Sequence, residues 1–441
     1  MASPTPTLKK TLTAVHLWSI AVALVISGEY FGWNYGWGVA GTVGMLIATL
    51  AVTVLYITFV FSFTELTTSI PNAGGPFTYA YRALGPIGGL IAGYATLIEF
   101  LFATPAIAYA LGSYMHFLYP TIDVVSTAIG CYILFTLINL LGVKESAIFT
   151  LVITLLAVLE LLVFMGIVAP HFKMDNFMHN SMPFGWQGVF AALPFAIWFY
   201  LAIEGVAMVA EEAKDPKETI PKGYILGIGT LVILALGVMV FTGGITDWKN
   251  LSAIDYPLPE SIGIVLGKDN SLTKIFASIG LFGLVASFHS IILGYSRLIF
   301  SLARASYLPA FLSKIHTRFQ TPHWALFAGL IVGIVAIISG KTDKLIILSV
   351  LGAVVMYIIS MISLFILRQK EPLLERPFVA PFYPYFPIMA LLLSVVCLVS
   401  IVYYNWFLSL VFFAFLLVLI GLFVGMGSLK TGYNAKNTEG G

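Results

Sequence analysis

Long apolar runs are the sequence feature that most limits what this chain can fold into. Polar punctuation divides the 441 residues into about twelve such runs. Most of them reach the roughly 20 residues that a helix needs to cross the hydrocarbon core of a bilayer. Lipid offers the backbone no hydrogen-bond partners, so helices are the favoured structure for these runs. The sequence therefore predicts an all-α polytopic membrane protein that has the lipid bilayer as its surroundings.

Composition excludes a water-soluble domain. Hydrophobic residues make up 59% of the chain and charged residues only 10%, whereas a soluble domain carries about a quarter charged residues. The net charge of +2 is too small to indicate a nucleic-acid partner. Cys131 and Cys397 both lie in apolar runs, which favours small buried residues over a disulfide or a metal cluster. We expect no cofactor, no metal site and no enzymatic domain.

The distribution of basic residues predicts the orientation of the spans. Of the 22 Lys and Arg residues, 16 fall in segments on the side that carries the N-terminus. Basic residues are concentrated in cytoplasmic loops, so both termini are predicted to be cytoplasmic in a plasma membrane, or in the inner membrane of a Gram-negative bacterium. The predicted spans are 12–36, 39–66, 86–114, 124–142, 146–169, 187–210, 222–245, 273–303, 322–340, 343–367, 383–404 and 406–426.

Two of these spans are interrupted. The first contains Gly28 and Gly32 around Glu29, and the sixth contains Pro194 and then Glu204. Interrupted apolar segments at corresponding places in two halves indicate the binding site of a transporter. Close helix packing is the alternative role for the glycines, but it does not explain a carboxylate at membrane depth.

The spacing of the interrupted spans predicts an inverted repeat. They are five spans apart, so two repeats of five would have opposite topology, with two helices appended. The predicted divisions are an N-terminal segment 1–11, a first repeat 12–169, a second repeat 187–367, two final spans within 383–426 and a tail 427–441. Short helices are also predicted in the loop 67–85, after a Pro/Gly turn, and around residues 258–267.

Aromatic residues crowd both interruptions and favour a cationic ligand. A cation over an aromatic face gains roughly 0.5–2 kcal/mol, and Glu29 supplies an opposite charge. Trp33, Tyr35 and Trp37 could form an interfacial aromatic belt or an outer gate. The predicted substrate-binding residues are Ser27, Gly28, Glu29, Tyr30, Trp198, Phe199, Tyr200, Ala202 and Glu204.

Other polar groups within the apolar runs could serve ion coupling. Intramembrane ionisable residues often act as proton relays, although each could equally be a satisfied buried group. Glu211 and Glu212, which close the sixth span, are predicted to form salt bridges or an inner gate. The candidates for coupling are Glu99, Glu160, Ser287, His289 and Ser290, with His16 as a further ionisable group.

Three long motifs resemble amino acid–polyamine–organocation (APC) superfamily permeases. They are ELTTSIPNAGGPFTYAYRALG at 65–85, FYLAIEGVAMVAEEAKDPKETIPKG at 199–223 and GYSRLIFSLARASYLPAFLSKIHTRFQTPHWAL at 294–326. The resemblance implies the five-plus-five fold, alternating access and a midplane site between spans 1 and 6. It also favours a structural or gating role for Glu204, because matching members often carry an acid there.

One departure from the family concerns the cargo. Many amino acid carriers of the family bind the substrate carboxylate on a Gly-x-Gly stretch, where this chain has Ser27-Gly28-Glu29. Two like charges about 4 Å apart cost roughly 4 kcal/mol at an effective dielectric near 20. The string GEYFGWNYGW also resembles the ethanolamine permease branch. We therefore expect a small amine, ethanolamine above all, as the partner. An amino acid permease and a transporter-like amine receptor are the alternatives.

A second departure concerns the coupling ion. Several proton-coupled members have a lysine fifteen residues after the glycine of a motif that is here Gly142–Ala147, and this chain has Ala157 at that place. Sodium would require hydroxyls of the eighth span, such as Ser287 and Ser290, together with carbonyls of the first. Proton coupling and uniport are the other possibilities. The sequence leaves the coupling ion open, and it does not decide between a monomer and a homodimer.

Overall fold

The computed structural model describes residues 10–142 and 147–425. Within those ranges the regular elements are helices, apart from one parallel β-bridge between Leu12 and Ala213. The predicted tail 427–441, most of the N-terminal segment 1–11 and residues 143–146 of the family motif lie outside the described residues. The predicted all-helical class is confirmed.

Fifteen α-helices and four short 3-10 helices follow one another along the described chain. The α-helices are α1 (Ala14–Val25), α2 (Ser27–Tyr30), α3 (Tyr35–Ser69), α4 (Pro76–Leu118), α5 (Val124–Leu140), α6 (Ala147–Val168), α7 (Met174–Met178), α8 (Gly185–Trp198), α9 (Pro216–Gly243), α10 (Pro257–Leu266), α11 (Ser271–Arg304), α12 (His323–Ser339), α13 (Thr342–Lys370), α14 (Tyr385–Tyr404) and α15 (Trp406–Gly425). The 3-10 helices are Ala169–His171, Ile203–Glu212, Trp248–Asn250 and Ala310–Ser313.

Every predicted span coincides with one or more of these helices. Among the described residues, 9 helices are long and apolar enough to cross a membrane, and α1, α5 and α12 are shorter apolar helices. Two glycines divide helices that otherwise run on: Gly41 (φ 71°) inside α3 and Gly85 (φ 76°) inside α4. A positive φ suits glycine because it has no Cβ. The count of twelve spans and the inverted repeat remain predictions.

Burial orders the helices from centre to edge. The segment 185–212 is 89% buried in its most apolar stretch, whereas α15 is 22% buried. A helix that is apolar on all sides can face either other helices or lipid, so the low burial of α14 and α15 places them at the lipid-facing edge. Around the central segment, α4 packs along α13 and α3 packs along α8.

Both predicted loop helices are present. The helix α4 begins at Pro76 after a Pro/Gly turn and bends at Gly85, so a short helix precedes its long part. Proline at the first helical position has no N–H to leave unsatisfied. The helix α10 spans Pro257–Leu266, close to the predicted 258–267.

A buried carboxylate joins the ends of α3 and α13. Glu65, 1% exposed, accepts two hydrogen bonds from Arg368, at 2.8 and 2.6 Å. Arg376 lies 3.4 Å from the same carboxylate, and the Ala380 amide donates to it at 2.7 Å. The bidentate geometry fixes both helix ends and the loop after α13 on the predicted cytoplasmic side.

Candidate functional site

The first span is interrupted later than the sequence indicated. Ser27–Tyr30 is a helical turn, and the irregular backbone begins at Phe31 and ends at Asn34. The chain turns at Gly32, which has φ 92°. Gly28 itself has helical geometry, and of the two glycines only Gly32 needs the conformational freedom of glycine.

The sixth span is interrupted between Pro194 and Glu204, the two residues on which its predicted interruption rested. The helix α8 ends at Trp198, and Ala202 adopts the left-handed conformation with φ 74°. The chain continues as the 3-10 helix Ile203–Glu212. Such a tight helix after an irregular segment is typical of a functional hinge.

The backbone segments at the two interruptions are in direct contact. Gly28 lies directly against the Trp198 backbone, so that a Cβ there would come within 3.0 Å of the carbonyl oxygen. The Trp198 indole donates a 2.9 Å hydrogen bond to the Phe31 carbonyl. The Trp33 ring stacks on Phe199 with centroids 5.5 Å apart. Gly28 thus allows close packing of the two spans, which was the alternative role considered for the glycines in the sequence analysis.

A small central cavity lies between the first, third, sixth and eighth spans. The space between its atoms, about 180 Å³, includes part that is not enclosed, and the cavity has room for only about one water molecule. Ser27 and Trp198 are the two predicted site residues that line it. The other lining residues are apolar side chains in apolar runs, so no sequence signal distinguished them from other apolar residues. The lining consists of Leu24, Val25, Ser27, Ala103, Ile107, Trp198, Leu201 and Ile291.

Glu29 is buried beside this cavity without lining it. The side chain is 0% exposed, and neither carboxylate oxygen has a hydrogen-bond partner among the described residues. The Tyr30 and Tyr200 hydroxyl groups lie close enough to Glu29 to interact with its charge. An unsatisfied buried carboxylate is costly, so it marks a place where a proton or a cation is missing.

The predicted pocket tyrosines are engaged elsewhere. The Tyr30 hydroxyl donates to Glu160 at 2.6 Å, and Tyr114 donates to the Tyr30 carbonyl at 3.2 Å. The Tyr200 hydroxyl lies 2.8 Å from the Thr53 hydroxyl. The structure therefore brings Tyr30 and Glu160 together as a link between the first and fifth spans. Their predicted roles in binding and coupling remain predictions.

The eighth span supplies one hydroxyl at the first interruption. Ser287 donates to the Leu24 carbonyl at 2.8 Å, so Ser27, also 2.8 Å away, is the donor in their shared hydrogen bond. Ser290 is half-buried. The His289 ring nitrogen Nδ1 lies 2.9 Å from the Asn139 amide, a satisfied polar contact. None of this tests the predicted sodium or proton roles.

Two further predicted acids meet across the site. The Glu204 carboxyl is in hydrogen-bonding contact with the Glu99 carboxyl, and both side chains are 0% exposed. His16, in contrast, lies in the first turn of α1, where it forms a capping box with Thr13. His16 is therefore accounted for by helix capping, which the sequence reasoning did not consider.

A latch closes the predicted outer side of the site. The Asn34 amide donates to the carbonyls of Leu251 and Ile254, at 2.6 and 2.8 Å. Asp255 accepts from Tyr35 at 2.7 Å and from Thr342 at 3.0 Å. We call Asn34, Tyr35, Asp255 and Thr342 the outer latch. Sequence reasoning missed Asp255, because an acid in a polar loop carries no distinguishing signal.

Trp33 and Trp37 belong with this closure rather than with an aromatic belt. Both rings are 0% exposed, and they meet edge to face with centroids 4.8 Å apart. Belt residues face the membrane interface, so complete burial favours the gate alternative for these two.

Acid is expected to favour the closed outer latch. Burial raises the pKa of Asp255 to about 6, although hydrogen bonds from Tyr35 and Thr342 lower it, and Asp343 also faces the carboxyl. In an open latch the pKa would return to about 3.9. Because the closed state binds the proton more tightly, lowering the pH from 7 to 5 should favour closure by roughly tenfold.

A cysteine at the cavity can measure this closure. In a Cys131→Ser/Cys397→Ala background, an impermeant thiol reagent should label Leu201→Cys more slowly at pH 5 than at pH 7. The labelling rate at Leu201→Cys is divided by the labelling rate at Ser271→Cys, an exposed position, because the reactivity of any thiol itself depends on pH. Asp255→Asn should abolish the pH dependence of this ratio, and a ratio equally pH-dependent in that variant would contradict the prediction.

The predicted inner side is closed by backbone pairing. The Glu212 carbonyl accepts from the amides of Thr11 and Leu12, both at 2.9 Å. The Glu211 carboxylate accepts from the Ala73 amide at 2.9 Å, and Arg297 lies 3.9 Å from Glu212. The contact between Arg297 and Glu212 agrees with the predicted salt bridge, and the inner gate remains a prediction. The structure is therefore a state closed at both ends.

Gly28→Ala should impair the predicted transport, because the added methyl group would separate the backbone segments at the two interruptions. Its Cβ would lie within 3.0 Å of the Trp198 carbonyl, and overpacking of this kind costs about 1–3 kcal/mol. We expect the initial rate of uptake of the predicted cargo, ethanolamine, to fall by roughly tenfold. Gly38→Ala is the matched control, since its Cβ would meet only Ser252 at 3.8 Å. Equal rates in both variants would show that the close approach is dispensable.

Known proteins resemble this chain over nearly all of its length. The amino acid permease family matches residues 12–435. An uncharacterised transporter of Rhizobium meliloti is 28% identical, covering 89% of this chain and 87% of its own. A branched-chain amino acid permease of Bacillus subtilis is 25% identical, over 93% of this chain and 91% of the permease. A low-affinity putrescine importer of Escherichia coli is 26% identical, with 82% and 83% covered.

Proposed function

Because the chain belongs to the amino acid permease family, and is therefore a multi-pass membrane transporter of the APC superfamily rather than an enzyme, we propose that it imports a small organic amine, ethanolamine above all. The cargo would be carried by alternating access through the site between the first and sixth spans. Both termini would be cytoplasmic. The low-affinity putrescine importer is an amine-transporting relative of comparable similarity.

Glu29 is the observation that carries this proposal. Its carboxylate is buried at the first interruption and lacks a hydrogen-bond partner, and no Lys or Arg belongs to the buried interior of the described chain. An ammonium group would supply the missing charge, whereas a substrate carboxylate nearby would be repelled. The aromatic rings of Tyr30, Trp198 and Tyr200 lie around the same region and favour a cation.

Binding requires the closed site to widen on the Glu29 side. The cavity reaches Ser27 and Trp198 but not Glu29. Release of the outer latch would free the segment Phe31–Asn34 and allow the amine to reach the carboxylate. Release of the contacts between Glu212 and residues 11–12 would then open the opposite side. Movement of this kind, with the site fixed near the midplane, is the general mechanism of such transporters.

Uptake into proteoliposomes tests the proposed cargo. Purified protein should accumulate radiolabelled ethanolamine saturably, and unlabelled ethanolamine should compete where alanine does not. Counterflow, in which internal unlabelled amine drives entry of label, separates a transporter from an amine receptor that binds without moving its ligand. Binding without counterflow would favour the receptor.

An amino acid is the second candidate, and the cavity lining favours it. Leu24, Ile107 and Ile291 give the cavity an apolar wall that suits an aliphatic side chain. The Bacillus subtilis relative is a branched-chain amino acid permease. Strong competition by leucine, with none by ethanolamine, would reverse our preference.

A further inference from the structure

Two buried carboxyl groups face each other beside the cavity. Glu99 lies in α4, Glu204 lies in the 3-10 helix after the second interruption, and their carboxyl groups are in hydrogen-bonding contact. Both side chains are 0% exposed. Within the described chain, no side-chain donor bonds to any of their four carboxyl oxygens, and the donors that approach them are the backbone amides of Ala202 and Glu204. We call these two residues the acid pair.

A proton is the donor that this arrangement lacks. Ionised carboxylates only accept hydrogen bonds, so two of them in contact can bond only if one carries a proton. Two charges this close also repel strongly in a buried site. The described interior contains no Lys or Arg that could compensate them.

The neighbouring tyrosine hydroxyl groups do not donate hydrogen bonds to the carboxyl groups of the acid pair. Tyr56 and Tyr357, the titratable neighbours from α3 and α13, bond to each other at 2.6 Å. Tyr224 of α9 reaches the Glu204 backbone carbonyl rather than its carboxyl, at 3.5 Å. Glu160 makes the contrast, because one of its carboxyl oxygens accepts the Tyr30 hydroxyl at 2.6 Å, which leaves one oxygen without a partner instead of four across a pair.

The position of the acid pair suits coupling to transport. Glu99 precedes the cavity residue Ala103 by one helical turn, and Glu204 follows the cavity residue Leu201 by three residues. One turn of α4 is about 5–6 Å long. Both displacements lead toward the predicted cytoplasmic side. Gly205, next to Glu204, lies against Leu24 of the cavity wall.

We propose that Glu99 and Glu204 share one proton and that this proton is the coupling ion of transport. The coupling half rests on the proposed transport function. When the site faces outward, one carboxylate takes a proton from water and the pair closes around it. When the inner half of the sixth span moves, Glu204 is drawn from Glu99, and the proton passes to cytoplasmic water. No electron moves, and one proton is carried in each cycle.

Infrared spectroscopy tests the shared proton without any substrate. In a Glu29→Gln/Glu160→Gln background, which removes the other buried acids that have unpartnered oxygens, the protein should show the carbonyl stretching band of a protonated carboxylic acid, shifted by exchange into D₂O, at neutral pH. Glu99→Gln and Glu204→Gln should each remove this band, because the amide can donate to the remaining carboxylate. Glu375→Gln, at an exposed acid that pairs with Lys217, is the matched control and should retain it. Absence of the band in this background, or a band that survives both the Glu99→Gln and the Glu204→Gln substitution, would overturn the proposal.

Proteoliposomes test the coupling. An acidic exterior should drive wild-type accumulation of ethanolamine above equilibrium, and adding ethanolamine should make the exterior more alkaline. In Glu99→Gln and Glu204→Gln, counterflow should persist while accumulation driven by the pH gradient falls at least tenfold. The double variant should be no worse than either single variant, since one proton is lost in all three. Full pH-driven accumulation in both single variants would refute coupling through this pair.

The two proposals can fail separately. If the wild-type protein does not move ethanolamine, the cargo is wrong, while the infrared band still reports the acid pair and leucine replaces ethanolamine in the gradient assay. If counterflow is lost in the variants, retention of the acid band in Glu99→Gln still decides against the shared proton, and its loss still supports it.

Discussion

Glu29→Gln is expected to reduce the affinity for ethanolamine by about 100-fold. Glutamine has nearly the same size but no charge, so the substitution removes the counter-charge of the ammonium group. Truncating one partner of a buried charge pair costs about 2–5 kcal/mol, and 100-fold corresponds to about 2.7 kcal/mol. The measurement is the concentration dependence of uptake into proteoliposomes. Unchanged affinity would rule out Glu29 as the group that binds the amine.

Folding should not obscure this result. The Glu29 carboxylate has no hydrogen-bond partner in the described structure, so its neutralisation breaks no contact and relieves the burial of a charge. The midpoint of thermal unfolding should therefore stay the same or rise. Glu260→Gln is the control, because that acid pairs with Lys268 in the predicted outer loop, away from the interruptions.

The same variant also discriminates between the two candidate cargoes. An amino acid brings a carboxylate into the site, where the Glu29 charge would repel it. If the natural cargo were an amino acid and Glu29 stood near its carboxylate, Glu29→Gln would increase the affinity for that amino acid. A rise for leucine together with no change for ethanolamine would therefore favour the amino acid permease.

Glu65→Gln is expected to lower the free energy of unfolding by about 3 kcal/mol. Glu65 is 1% exposed and neutralises Arg368, whose side chain is 20% exposed, and Arg376, 15% exposed. Removing one partner of a buried pair costs about 3–5 kcal/mol, because the remaining charges are left uncompensated. The measurement is unfolding of the purified protein in detergent, by heat or by denaturant.

An exposed pair provides the matched control for this substitution. Glu371 pairs with Arg82 at 2.6 Å, and both side chains are about one-third exposed. The Arg82 hydrogen bond lowers the pKa of Glu371 below its ordinary value. Exposed pairs contribute only about 0–1 kcal/mol, so Glu371→Gln should cost far less than Glu65→Gln. Equal losses would show that burial does not govern the Glu65 cluster.

The glycines of the first span show how far a sequence pattern reaches. Their clustering correctly predicted an interruption, but it did not say which glycine made the turn. Gly32 has φ 92° and supplies the irregular backbone, whereas Gly28 is helical and makes room for the Trp198 carbonyl. Both roles require the absence of a Cβ, so the two cannot be told apart until the partner across the gap is known.

The buried acids also show what a sequence pattern can and cannot predict. A carboxylate in an apolar run indicates function because burial of its charge is costly, and this argument selected Glu29, Glu99, Glu160 and Glu204. It could not separate them. Tyr30 donates to one oxygen of Glu160, Glu99 and Glu204 meet each other, and Glu29 accepts no hydrogen bond in the described structure. These outcomes depend on residues more than a hundred positions away in the chain.

By itself, the sequence determined that this protein is a membrane-embedded bundle of helices with interruptions in its first and sixth spans. Those properties follow from local hydrophobicity and from local glycine and proline, which act within a few residues. The tertiary structure alone decided which residues line the cavity, which acids are satisfied and which groups latch the two ends. Packing sets these features, and packing joins residues distant in sequence, whose meeting no local pattern records.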